Sequence, residues 1–99
     1  MELLEPWHVP QSADVLERQL ATELPRGHAL FGVPVRAVAR RQDCDDVLFE
    51  LLDGSGRVAV VHLTYSMNFD PAWPFTTVFD DLLAWTENCM LKDHLDFNT

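Results

Sequence analysis

From Ser12 onward, apolar side chains recur at helical spacing. Ala13, Leu16, Leu20 and Leu24 form one stripe, and Glu17, Arg18 and Glu23 are assigned to other faces. Ser12 has the chemistry of an N-cap, Asp14 suits the first turn, and Pro25 and Gly27 end the pattern. The period then changes. Residues 35–41, opened by Pro34, read as a first strand with Arg36 and Arg40 on one face. A polar turn at 42–46 leads to a second strand at 47–52, where Val47, Phe49 and Leu51 share a face and Glu50 points the other way. Asp53-Gly54-Ser55-Gly56 is a hairpin signal. The third strand, 57–65, is apolar on both faces over most of its length, which suits the centre of a sheet or cover from two sides.

Residues 66–74 form a long connection containing Pro71 and Pro74. Thr76 or Thr77 is then expected to cap a second helix, with Thr77 and Asp80 at the spacing of a capping box. Val78, Phe79, Leu82, Leu83, Trp85, Cys89 and Met90 supply its apolar face, and it is expected to end near Lys92. Residues 1–10 read as an irregular leader anchored by Trp7, and 94–99 as a loose tail. The expectation is a single α+β domain over residues 1–99: a two-layer sandwich of helix, three-stranded antiparallel meander and helix, with both helices on one face. Three strands leave two exposed edges, so a homodimer extending the sheet through such an edge is expected.

Charge narrows the list of partners. Sixteen acids face seven Lys and Arg, for a formal net charge of −9. Phosphate backbones and anionic membrane surfaces need basic clusters, so nucleic acid and membranes are disfavoured, whereas a basic protein partner is electrostatically suited. The net negative charge falls in residues 1–25 and 58–99, whereas in the middle of the chain five acids are balanced by five arginines. No basic start with an apolar run opens the chain and no segment has bilayer-spanning length, so the reading is cytoplasmic. Cys44 and Cys89, the only two cysteines, are then free thiols. Cys89 is expected to be buried and inert, and Cys44, between Asp43 and Asp45, a poor nucleophile.

The densest feature is the string from Val60 to Ser66 followed by Phe69-Asp70-Pro71-Ala72-Trp73-Pro74-Phe75. Four of the ten aromatics fall within residues 65–75. A loop of this length is either a packed lid or a binding surface. Its prolines lower the entropic cost of holding aromatics ready for a partner. His62-Leu63-Thr64-Tyr65-Ser66, preceding Trp73-Pro74 and a capped helix containing Trp85, resembles a group of small uncharacterised bacterial proteins. In that group Trp often stands where Tyr65 does. The resemblance spans about residues 47–90. It implies a bacterial, cytoplasmic, single-domain protein and carries over no catalytic residue.

His62 is the first residue to test as a general base, with Asp70 as its orienting partner, against the plainer reading of a core-edge imidazole. There is no nucleophile elbow, the four histidines are scattered, and no Cys or His spacing suits a metal, so no cofactor is expected. Arg36, Arg40 and Arg41 form the one basic cluster, suited to pairing with helix acids or to holding a small anion. The functional expectation is a non-enzymatic acidic interaction protein, of inhibitor or immunity type, that covers a basic partner. His62, Tyr65, Phe69, Asp70 and Trp73 are the candidate binding residues. One alternative is a small-molecule-binding module or small enzyme with His62, Tyr65 and Trp73 at the mouth of its pocket. The other is a structural homodimer.

Overall fold

The computed structural model describes residues 2–98. The fold is α+β, but its sheet has five strands rather than three. They are β1 (Trp7–His8), β2 (Val35–Arg41), β3 (Asp46–Leu51), β4 (Val58–His62) and β5 (Thr76–Phe79), side by side in chain order with every pair antiparallel. Helix α1 (Ala13–Glu23) intervenes between β1 and β2. After β5 come α2 (Leu82–Trp85), a π-helical turn (Thr86–Met90) and α3 (Leu91–Phe97). No helix among the described residues is long and apolar enough to cross a membrane.

The helices lie on opposite faces of the sheet, which corrects the expected two layers to three. Leu16 and Leu20 of α1 pack with Val47, Phe49, Leu51, Ala59 and Val61. Trp85 and Met90 pack on the other side with Trp7, Ala39, Leu48 and Val58. The alternation along β3 and β4 dictates this: Val47 and Phe49 face one way and Leu48 the other, so each face needs its own cover.

Two strands escaped the sequence pattern. β1 is only two residues long, though Trp7 is the anchor expected of it, at 2 % exposure. In β5, Thr76 and Thr77 belong to a β-branched and aromatic run that pairs with β4, so neither caps a helix. The cap is Asp81, whose Oδ1 accepts from the Ala84 N–H at 2.8 Å. The strands expected at the two edges are therefore interior, and the edges are β1 and β5. His62 N–H donates to Phe75 O, so by antiparallel alternation the backbone groups of Thr76 and Val78 point away from β4.

Residues 94–97 continue α3 instead of forming a loose tail, whereas Thr99 lies outside the described residues. Three bonds hold α3 down: Trp7 Nε1–H donates to Asp93 at 2.9 Å, Arg41 pairs with Asp93, and His94 Nδ1–H donates to Glu5 O at 2.6 Å. The π turn closes at i+5, which lets Trp85 and Met90, five residues apart, meet the same core.

A bulge at Val38 decides where the arginines of β2 point. Ala37 pairs with Phe49 and Ala39 with Leu48, so Val38 is an extra residue in β2. It inverts the alternation. Arg36, opposite Glu50, faces the α2–α3 side, and Arg40, opposite Val47, faces α1, so the two arginines do not share a face. Glu17 of α1 covers the irregularity by accepting the Ala37 N–H at 2.9 Å.

Candidate functional site

The segment after β4 is held by a carboxylate expected on a face of α1 other than its apolar stripe. Glu23 is fully buried. One of its oxygens accepts from the Thr64 N–H (2.7 Å) and Thr64 hydroxyl (2.8 Å), the other from the Tyr65 N–H (2.9 Å) and Gln19 Nε2 (2.8 Å). Four donors satisfy what would otherwise be a costly buried group. Tyr65 takes a left-handed conformation, φ 55°, uncommon for a non-glycine residue. Asn68 Nδ2–H donates to Glu23 O and Thr64 Oγ1. The Thr64-Tyr65-Ser66 string is thus a structural latch onto the end of α1. A signal for Glu23 was present: it stands seven residues after Leu16 and three after Leu20, on the apolar stripe itself.

A second buried polar residue secures the far end of the segment. His28 Nδ1 accepts from the Leu30 N–H at 3.0 Å, which leaves Nε2–H to donate to Pro74 O at 2.9 Å. Pro71 lies beside Gly27, where a Cβ would meet its ring in ordinary contact at 3.4 Å. Between these anchors the rings face water: Phe69 is 84 % exposed, and Tyr65, Trp73 and Phe75 are each about half exposed or more. Phe69 and Met67 line a groove of 380 Å³ together with the exposed Phe31.

The five candidate residues separate. His62 ends β4 on the α3 side, half exposed, and its Nδ1–H donates to Asp46 at 2.7 Å. It lines a 360 Å³ groove with Phe75, Phe79, Cys89 and Asp93. Asp70 is not its partner; that carboxylate accepts the Ala72 N–H at 2.9 Å and shapes its own turn. Tyr65 lines a different groove, of 570 Å³, with Arg40 and Val15 on the α1 side. Trp73 lines neither groove. His62, Tyr65 and Trp73 thus do not line either of these two grooves together.

The basic cluster is divided: Arg40 and Arg41 both line the Tyr65 groove, and Arg36 stands apart. Arg36 pairs with Glu50, and Arg41 pairs with Asp43 and Asp93. Both thiols are poor nucleophiles. Burial pushes Cys44 up, and burial with the nearby Asp93 carboxylate pushes Cys89 up to about 12, against a smaller opposing effect of the Trp85 indole. Among the described residues that indole Nε1–H meets no nitrogen or oxygen acceptor, the Cys89 sulfur being its one weak neighbour. Among the described residues no three His, Cys, Asp or Glu side chains converge as a metal site. No family model matches the chain, and no curated protein or solved structure is significantly similar to it. Geometry and charge therefore carry the functional reading.

Proposed function

We propose that this chain is a non-enzymatic acidic interaction protein that docks a basic protein partner through residues 67–75. The observation that supports it is the exposure of Phe69, Trp73 and Phe75 on a segment fixed at both ends by Glu23 and His28. Rings held in place lose little entropy on docking, and aromatics dominate interface energies. A net charge of −9 speeds encounter with a basic surface. An inhibitor or immunity-type protein covering a basic enzyme or toxin is the concrete form. Affinity capture at low salt tests it. A basic protein retained by the wild type should be lost with the Phe69→Ser, Trp73→Ala double variant and weakened by salt. Recovery of no basic protein, or equal retention by the variant, refutes the reading.

A homodimer is the second reading, and the outward backbone groups of Thr76 and Val78 favour it. Val78→Pro would remove an outward N–H without touching the ladder to β4. Light scattering should then show a dimer for the wild type and a monomer for the variant; a monomeric wild type disposes of the idea. A small enzyme is less favoured, because the His62 groove and the Tyr65 groove are separate and Trp73 lines neither.

A further inference from the structure

We infer that the groove between α1 and the β1–β2 edge binds a small carboxylate with an apolar body, held by Arg40 and Tyr65. Two backbone irregularities aim these side chains at one place. The bulge at Val38 turns Arg40 from the face it would otherwise share with Arg36 toward α1. The left-handed conformation of Tyr65, fixed by the Glu23 carboxylate, places its ring in the same groove. Bulges re-aim side chains beside functional sites, and sparsely populated backbone conformations collect there.

Among the described residues the Arg40 guanidinium and the Tyr65 hydroxyl have no partner, while Arg36 and Arg41 are spent on acids. The groove holds about 570 Å³ and, in a chain with sixteen acids, no Asp or Glu lines it. Gln42 and Ser12 add hydrogen-bonding capacity, and Val9, Val15 and Leu16 supply apolar wall. A guanidinium matches a carboxylate in a two-point fork, with the phenol as a further donor. Arg41 also borders the groove but is neutralised by Asp43 and Asp93, so one unpaired cation remains and matches a monoanion; a phosphate dianion would meet the protein's net negative charge with half the compensation.

The probes are 3-phenylpropionate, its neutral alcohol 3-phenylpropanol and inorganic phosphate, titrated into the full chain and followed by heteronuclear NMR. The propionate should give saturable shifts confined to residues 8–16, 40–42 and 65. Loss of a charge-assisted fork should weaken binding about tenfold in Arg40→Gln, and loss of one neutral hydrogen bond about threefold in Tyr65→Phe. Arg36→Gln, the same charge change on the opposite face, should leave binding unchanged. A peptide ending in phenylalanine that binds tighter than the propionate would assign the carboxylate to a chain terminus rather than a free acid. The inference is overturned by equal binding of the alcohol, by tighter binding of phosphate, by equal weakening in Arg36→Gln, or by no saturable shift. The alcohol and phosphate arms need no variant, so they decide the matter even if Arg40→Gln fails to fold. Residues 67–75 lie outside this groove, so its failure leaves the docking reading intact.

Discussion

On the α1 side of the sheet, the fully buried carboxylate of Glu23 meets four donors, and both ring nitrogens of His28 are engaged. On the α2–α3 side the core is built around two tryptophans in edge-to-face contact, centroids 5.2 Å apart, and only one indole N–H is used. The first side ties a distant loop to a helix end by directional bonds. The second keeps its directional bonds at the rim, on Asp93 and His94, and packs its centre by shape and area, where among the described residues the Trp85 Nε1–H meets no nitrogen or oxygen acceptor. Directional networks fix position and are costly to break. Apolar packing tolerates change more smoothly.

The largest effect should come from cutting the network. Glu23→Ala leaves the N–H groups of Thr64 and Tyr65 without their acceptor, and should cost about 4 kcal/mol in urea unfolding with loss of amide protection at Tyr65. A loss below about 1 kcal/mol would erase the contrast between the faces. The two tryptophans sharpen it. Trp7→Phe gives up ring area and removes one donor from Asp93, which keeps Arg41, and should cost about 2 kcal/mol. Trp85→Phe gives up similar area but also removes an unpaired donor, and should cost about 1 kcal/mol or less. The reverse order in thermal melts would mean that the Cys89 sulfur satisfies Trp85 after all.

Smaller still is the response at Cys89. Its thiol stays protonated in both states below pH 9.0, its ordinary value, and in the folded chain is pushed up to about 12. The unfolded chain therefore ionises first, and stability should fall as pH rises from 9 toward 12. Urea midpoints should drop between about pH 8 and about pH 10 in the wild type, and drop less in Cys89→Ala. Equal drops would refute the assignment. Phe69→Ser should leave stability within about 0.5 kcal/mol by chemical denaturation, since that ring touches water and not the core.

Much of this contrast was legible in the residues. The Leu16–Leu20 stripe placed α1, the bounds of β2 through β4 held to within a few residues, and Asp53–Gly56 turned the chain as its composition demands. The two apolar faces of β4 already called for cover on both sides, which a two-layer arrangement cannot supply. Four features were not legible. Two residues of β1 carry no period. A run such as Thr76–Phe79 is both a plausible cap and a good strand, and only the neighbouring β4 decides between them. The bulge at Val38 and the π turn each insert one residue, and an insertion breaks the counting on which periodicity depends. The separation of Arg36 from Arg40 results from that single insertion.

The outer edge of β5 bears on the chain's life outside its native state. Phe75-Thr76-Thr77-Val78-Phe79 is an uncharged stretch of high strand preference, the kind that stacks in register into cross-β fibrils when chains meet unfolded. Pro74 stands before it and Asp80-Asp81 after it. The proline denies the stack a rung, and the paired aspartates would pile like charge at every repeat of the fibril axis. These three residues act as gatekeepers, and replacing Asp80 and Asp81 with asparagine should shorten the lag before heated samples turn turbid.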